Sequence, residues 1–260
     1  RYDPQGPSAS APALPPAGAL PRRGILGMRR APSDAASLCL PSEVRSECPP
    51  PATLADALTA AGYRGLLLPV SRLPRHRLVS LLPEWLAVFA ERGLLCAVTL
   101  PDKVFLHHLP LFACLDPLPD FICLTPSSWE TPLEVRAGEI SDITDLPMRR
   151  RILFSLAPGA AFTTREKSAP LPYGEALRIV SAEGVRLRRE DILMAPIPRG
   201  KRSGTVCLED PVCLLAGLMR LSASKFGGVS LSDASAPFAA EMIRRLFRTA
   251  GGKASVHWQT

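Results

Sequence analysis

A chain of 260 residues, 47% apolar and 21% charged, has the balance of an ordinary globular protein and can bury one large core. The net charge of +7 admits nucleic acid, anionic lipid or an acidic polymer as partner, but no aromatic residues interleave the clusters Arg149–Arg151, Arg186–Arg189 and Arg199–Arg202. The basic balance therefore reads as solvated surface rather than a nucleic-acid site, and no apolar run reaches the ~20 residues of an integral membrane segment.

The chain opens on Arg rather than Met, as a fragment or processed product would. Arg1 to Arg23 is rich in Pro, Ala, Gly and Ser and reads as a disordered linker. Gly24 to Met28 is a short strand candidate, and Arg29 to Pro51 reads mostly as loop. Thr53 looks like the N-cap of a helix from Leu54 to Ala61, closed by Gly62. Gly65 to Val70 is an apolar run, the pattern of a strand buried on both faces. A helical repeat follows from Leu78 to Phe89, interrupted by Pro83 and ended by Gly93. Leu94 to Leu100 is a second buried strand, which completes a βαβ unit with parallel strands.

Asp102 to Pro117 carries His107 and His108 in a loop or short helix. Leu118 to Thr125 is the next strand, and a helix is expected over Ile140 to Leu146. Arg151 to Ala157 is another strand, followed by a helix from Tyr173 to Ala182. Ile192 to Ile197 and Thr205 to Leu208 flank a turn around Gly200 to Gly204 and predict a small antiparallel hairpin. Asp210 as N-cap and Pro211 at the first helical position open a helix from Val212 to Ser222. Gly227 to Leu231 is the last strand, and Pro237 to Thr249 a final amphipathic helix whose Arg244, Arg245 and Arg248 read as a solvated face. The strands recur at roughly 30-residue spacing, which fits a doubly wound sheet or a TIM-type barrel. No GxGxxG follows a strand, so no dinucleotide cofactor is implied, and no other cofactor motif is present.

The seven cysteines are an odd number and contain no CxxC, which gives neither a disulfide framework nor a zinc site. Cys96 and Cys123 sit in buried strands, while Cys39 and Cys48 are free to bridge or not across a loop. His107, His108 and Asp102 make a poor metal set, because adjacent histidines point different ways. Glu209 and Asp210 suggest an acid pair, but the helix start accounts for Asp210. Ser71, Ser128 and Ser232 lie in no GxSxG elbow, which argues against a serine hydrolase. Trp129 and Glu130 follow a strand end, where barrel sites lie, and Trp129 either stacks on a ligand ring or packs in its loop.

Five blocks in order resemble glycoside hydrolase family 18, the chitinase-like barrels, and in particular its bacterial spore-germination and cortex-lytic branch. Gly62-Tyr63 and Gly65 match the family's fourth strand, Gly-Tyr/Phe-Asp-Gly-x-x-x-Asp-x-Glu. Gly93 to Lys103 resembles the fifth strand, Asp120 to Thr125 the sixth, and Arg151 to Gly159 the seventh. Val206 to Asp210 and Gly227 to Leu231 resemble the closing hairpin strand and the eighth. The resemblance covers about Gly24 to Phe247 and implies an N-terminally incomplete (β/α)8 barrel over residues 24–250, with a small antiparallel hairpin inserted after the seventh strand and a tail at 251–260.

In that family a Glu at the end of the fourth strand protonates the glycosidic oxygen, and the substrate's own acetamido carbonyl is the nucleophile, oriented by an Asp. The alignment puts Arg64 at the first Asp, Pro69 at the orienting Asp and Ser71 at the acid. The Tyr-Asp after the sixth strand becomes Ser127-Ser128, and the Trp of the eighth strand becomes Ser232. A serine hydroxyl is no general acid near neutral pH, and losing that function costs ~10²–10⁴ in rate. The resemblance thus implies an inactive domain that binds an N-acetylglucosamine-containing glycan, such as peptidoglycan or a chitin-like chain, in an exported or periplasmic setting. Ser71, Asp102, Trp129, Glu130, Ser232 and Asp233 are the expected ligand contacts. The alternatives are a working glycosidase whose acid is Glu130, Asp102 or Asp233, and a basic interaction protein that uses the barrel as scaffold.

Overall fold

The computed structural model describes residues 25–27, 35–37, 50–71, 73, 75–156, 159–164, 168–189, 192–197, 203–231 and 237–249; at 25–27, 35–37, 75, 77, 237, 244 and 246–249 this description is of the backbone. The expected linker at 1–23, the tail at 251–260, Cys39, Cys48, Ser232 and Asp233 lie outside the described residues.

The first half alternates strand and helix. β1 (Ile25–Gly27) and β2 (Ala35–Ser37) precede α1 (Pro51–Ala60). Then come β3 (Gly65–Pro69), α2 (Arg75–Glu91), β4 (Leu95–Pro101), α3 (Asp102–Ala113) and β5 (Phe121–Thr125). Two helices, α4 (Leu133–Ser141) and α5 (Leu146–Arg149), lead to β6 (Ile152–Ser155). An inserted segment follows: β7 (Ala160–Thr163), β8 (Ser168–Leu171), α6 (Tyr173–Ala182), β9 (Arg188–Arg189), β10 (Leu193–Ile197) and β11 (Gly204–Leu208). The chain then returns through α7 (Pro211–Ala223), β12 (Gly228–Ser230) and α8 (Pro237–Thr249).

Seven strands form one sheet in the order β1-β12-β6-β5-β4-β3-β2. Every neighbour from β12 to β2 is parallel, and β1 pairs antiparallel with β12 at one end. Strands consecutive in the chain lie side by side with helices between them, the winding of a (β/α) barrel. Among the described residues no ladder joins β1 to β2, so the ring is not closed there.

Successive side chains of a strand face opposite ways. On β3 to β6 one set, Leu66, Val98, Ile122 and Phe154 among them, joins the main core beneath the helices. The other set, Leu67, Ala97, Cys123 and Leu153, makes a separate small cluster on the inner face. Burial on both faces is why these strands read as unbroken apolar runs. Full burial of each large side chain, Phe89, Phe105 and Phe154 included, contributes ~1.5–3 kcal/mol. At Gly65 a Cβ would collide with the backbone carbonyl of Leu95, so the β3–β4 approach requires glycine.

Several expected boundaries change. α1 starts at Pro51, with Thr53 inside it, because proline suits the first helical turn. α2 runs through Pro83, since the buried stripe Leu78, Leu82, Trp85, Leu86 and Phe89 spans it and packing outweighs the lost hydrogen bond. His107 and His108 lie in a regular twelve-residue helix, α3. The helix expected over Ile140 to Leu146 is two helices, α4 and α5, and α5 takes its N-cap from Asp145, which accepts from Met148 N at 2.9 Å. The hairpin β10–β11 is present, but it is the middle of a five-stranded antiparallel sheet, β8-β7-β11-β10-β9. α6 packs on that sheet through Ala176 and Val180, giving the insertion a small core of its own.

Candidate functional site

The C-terminal ends of the parallel strands meet on one side of the molecule. Two residues beyond the inner apolar cluster, the inner face changes character. Thr99 follows Ala97 by two, Thr125 follows Cys123 and Ser155 follows Leu153. Ser230 stands opposite Ser155 in the β6–β12 register, and Pro69 stands opposite Thr99 in the β3–β4 register. All five are half-buried. An apolar floor under a rim of small hydroxyls is the result. It is a surface that accepts and donates hydrogen bonds without presenting charge.

Beside this rim the insertion sheet forms a wall. Asp102 opens α3 immediately after β4, and its carboxylate is favoured at a helix N-terminus. One oxygen, Oδ1, accepts from Lys103 N at 2.8 Å and Ser127 N at 3.0 Å. The other, Oδ2, accepts from Arg136 Nε at 2.6 Å. Arg136 comes from α4, is 6% exposed, and sets its guanidinium 5.6 Å from the Phe154 ring centroid. Its Nη2 is enclosed and has no hydrogen-bond partner.

Glu209 faces the same space from the end of β11. Its backbone is pinned twice, by its N donating to Gly159 O at 2.8 Å and by Tyr173 OH donating to its carbonyl at 3.2 Å. Its Oε2 is enclosed and unpartnered. Burial pushes the Glu209 carboxyl up to about 7; Arg136 opposes this and Asp210 adds to it. Next to it, burial pushes Asp210 up as well, but hydrogen bonds from the Cys213 thiol, Arg189 and the Val212 and Cys213 amides outweigh burial and hold it below its ordinary value. The two neighbouring carboxyls are therefore shifted in opposite directions, because hydrogen-bond donors gather on Asp210 Oδ1 while burial dominates at Glu209, whose Oε2 has no partner.

Arg136 and Glu209 line a cleft of about 50 Å³ together with Trp129, Pro132, Leu156 and Ala161. The cleft lies between the loop from β5 to α4 and the insertion sheet. Of the expected ligand contacts, Trp129 is on the cleft wall. Asp102 stands behind it, engaged by Arg136. Ser71 is exposed in the turn after β3, and Glu130 is exposed beyond Trp129. Ser128 lines the cleft and accepts from Glu130 N at 3.3 Å. His107 is exposed and His108 buried, their rings 5.1 Å apart at 67°. Among the described residues no three His, Cys, Asp or Glu side chains come close enough to hold a metal ion.

Sequence reasoning passed over Arg136. The signal was present: Leu133, Arg136, Ala137 and Ile140 repeat at helical spacing, and a charged residue in such a stripe must be buried with a partner. Placing the helix seven residues too late hid the stripe. The sequence alone presents Glu209 as half of an acid pair with Asp210 and as part of the closing hairpin strand, with nothing local to mark its burial.

Comparison with solved structures bears on this arrangement. The spore cortex-lytic enzyme of Bacillus cereus superposes with a TM-score of 0.58 at 10% identity, over 80% of this chain and 57% of that one. A family 18 chitinase from Cycas revoluta, in complex with allosamidin, superposes at 0.50 with 14% identity, over 76% of this chain and 74% of that one. A chitinase-like agglutinin from Robinia pseudoacacia gives 0.52 at 15% identity, over 82% and 81%. The chain has the glycoside hydrolase family 18 fold. At these identities the likeness establishes the fold alone, and the family 18 fold hosts its sites in loops at the C-terminal ends of the strands. The chain spans 48% to 57% of the length of the two cortex-lytic enzymes it resembles. No protein-family model matches it, and no curated protein matches it by sequence.

Proposed function

We propose that this chain is a glycan-binding domain of the family 18 fold that has lost the hydrolytic acid, and that its ligand is an N-acetylglucosamine-containing polymer such as peptidoglycan or a chitin-like chain. The observation that carries this reading is the pairing of a hydroxyl-lined, uncharged strand-end surface with an acid position that holds no carboxylate. The hydroxyl rim at Thr99, Thr125, Ser155 and Ser230 and the Trp129 wall suit an uncharged, hydroxyl-rich ligand. The strand that would supply the acid ends in Pro69, Val70 and Ser71, with no carboxylate. Such a polymer lies outside the cytoplasm, so an exported or periplasmic location accompanies the reading. The test is retention on insoluble chitin and on peptidoglycan sacculi. The intact chain is retained and Trp129→Ala is retained at least several-fold less; equal passage of both through the matrix overturns the proposal.

One observation favours a second reading, residual hydrolysis. Glu209 carries a carboxyl pushed up to about 7 inside the cleft, the range in which a general acid works. Asp102 fits that role less well, because three N–H groups already occupy its two oxygens. Release of reducing ends from a chito-oligosaccharide, abolished in Glu209→Gln, would establish this second reading.

A further inference from the structure

We propose that the side cleft between the β5–α4 loop and the insertion sheet is a subsite for a neutral sugar substituent with a donor beside an acceptor, a hydroxyl or a secondary amide, held between Arg136 Nη2 and Glu209 Oε2. This rests on the glycan-binding reading and deepens it. Arg136 lines the cleft and is 6% exposed, and its Nη2 is enclosed with no hydrogen-bond partner. Glu209 lines the same cleft, and its Oε2 is likewise enclosed and unpartnered. Native interiors rarely leave two such groups around one cavity unless something else satisfies them.

Charge selects the class of ligand group. The Arg136 cation is already matched by Asp102, whose remaining oxygen is taken by two backbone amides. An anionic substituent would find no uncompensated cation and would meet the Glu209 carboxyl. A cationic one would meet the guanidinium. A neutral group that accepts from Arg136 and donates to Glu209 satisfies both partners at once. Size and walls agree: a cleft of about 50 Å³ suits a small substituent, and Leu156, Ala161 and Pro132 offer apolar contact for a methyl or ring C–H. Trp129 stands on the same wall, where a ring face would lie while its substituent enters.

Glu209 is faced by Arg136 from α4, with Asp102 of α3 behind it. Asp210 follows it in the chain, bonded to Arg189 of β9 at 2.9 Å. Tyr173 of α6 donates to its carbonyl, and the Cys207 and Cys213 thiols line the cleft from β11 and α7. Arg136 is therefore the one group of this set that offers the cleft an unpartnered donor among the described residues.

The test is calorimetric titration of the full chain with the N-acetylglucosamine trisaccharide and with the glucose trisaccharide, at pH 5.5 and pH 8. Wild type binds at both and more tightly at pH 8, where Glu209 accepts as a carboxylate. Glu209→Ala weakens binding about 10-fold to 100-fold. Glu209→Gln retains most of the affinity and loses the pH difference. Preference for the acetylated sugar assigns the subsite to the amide, and equal affinity assigns it to a hydroxyl; either outcome supports the proposal. Thermal melting shows whether each variant is folded. If folded Glu209→Ala binds like wild type while Trp129→Ala binds weakly, the subsite is refuted and the glycan reading stands. If wild type binds neither trisaccharide, both are overturned.

Discussion

Asp102 and Arg136 form a buried pair, 7% and 6% exposed, and removing one partner strands the other charge. Asp102→Ala is expected to cost about 3–5 kcal/mol in urea unfolding, far more than an exposed pair would. Glu209 acts in the opposite sense. Its folded carboxyl titrates near 7 against an ordinary 4.5, so folding favours the protonated form. Wild type therefore loses stability as pH rises from about 4.5 to about 7 and stays lower above that. Glu209→Gln removes the penalty. It should be more stable than wild type by up to about 3 kcal/mol at pH 8 and nearly equal at pH 4. Equal melting curves at pH 8 would mean that the carboxyl is solvated. These two residues also mark what the sequence did not disclose. Arg136 and Glu209 are 73 positions apart and come to line one cleft because α7, which follows Glu209, packs on α4, a tertiary fact that no local spacing encodes.

At the scale of elements, α7 begins at the cleft and its cap holds the cleft's edge. Asp210 Oδ1 accepts from Val212 N at 2.8 Å and Cys213 N at 3.3 Å, and from Arg189 at 2.9 Å. Asp210→Ala is expected to lower stability by about 1–2 kcal/mol, with Asp210→Asn recovering part of it in the same denaturation assay. That cap was legible because Asp-Pro ahead of an apolar stripe is a local signal. β3 to β6 were legible for a related reason, since strands buried on both faces are continuous apolar runs. α4 carried a helical stripe too, but with Arg136 in it the stripe reads as less apolar than the others. β7 and β8 were not legible, because each has four residues and β8 is exposed and carries Pro170, as an edge strand can.

Taken whole, the molecule sets a parallel sheet, wound as in the family 18 barrels, beside an antiparallel insertion, and the candidate site occupies the angle between them. Order and spacing of blocks conveyed this winding at identities of 10% to 15% with the solved structures, because the barrel constrains polarity and strand length more than identity. The basic balance is partly spent inside the fold: Arg151 Nη1 donates to Pro119 O at 2.8 Å and Arg149 Nη1 to Ser224 O at 3.3 Å, tying strand ends and helix ends together. Two members of the Arg149–Arg151 cluster are therefore occupied by the protein's own carbonyls.

The account turns on a glycan being held without being cut, and one paired measurement addresses it. The purified chain is incubated with the N-acetylglucosamine trisaccharide and longer oligomers, binding is followed by calorimetry, and the same samples are resolved by mass. The account predicts saturable binding with every oligomer recovered at its starting length. Shortened oligomers that accumulate in proportion to the amount of protein would contradict it.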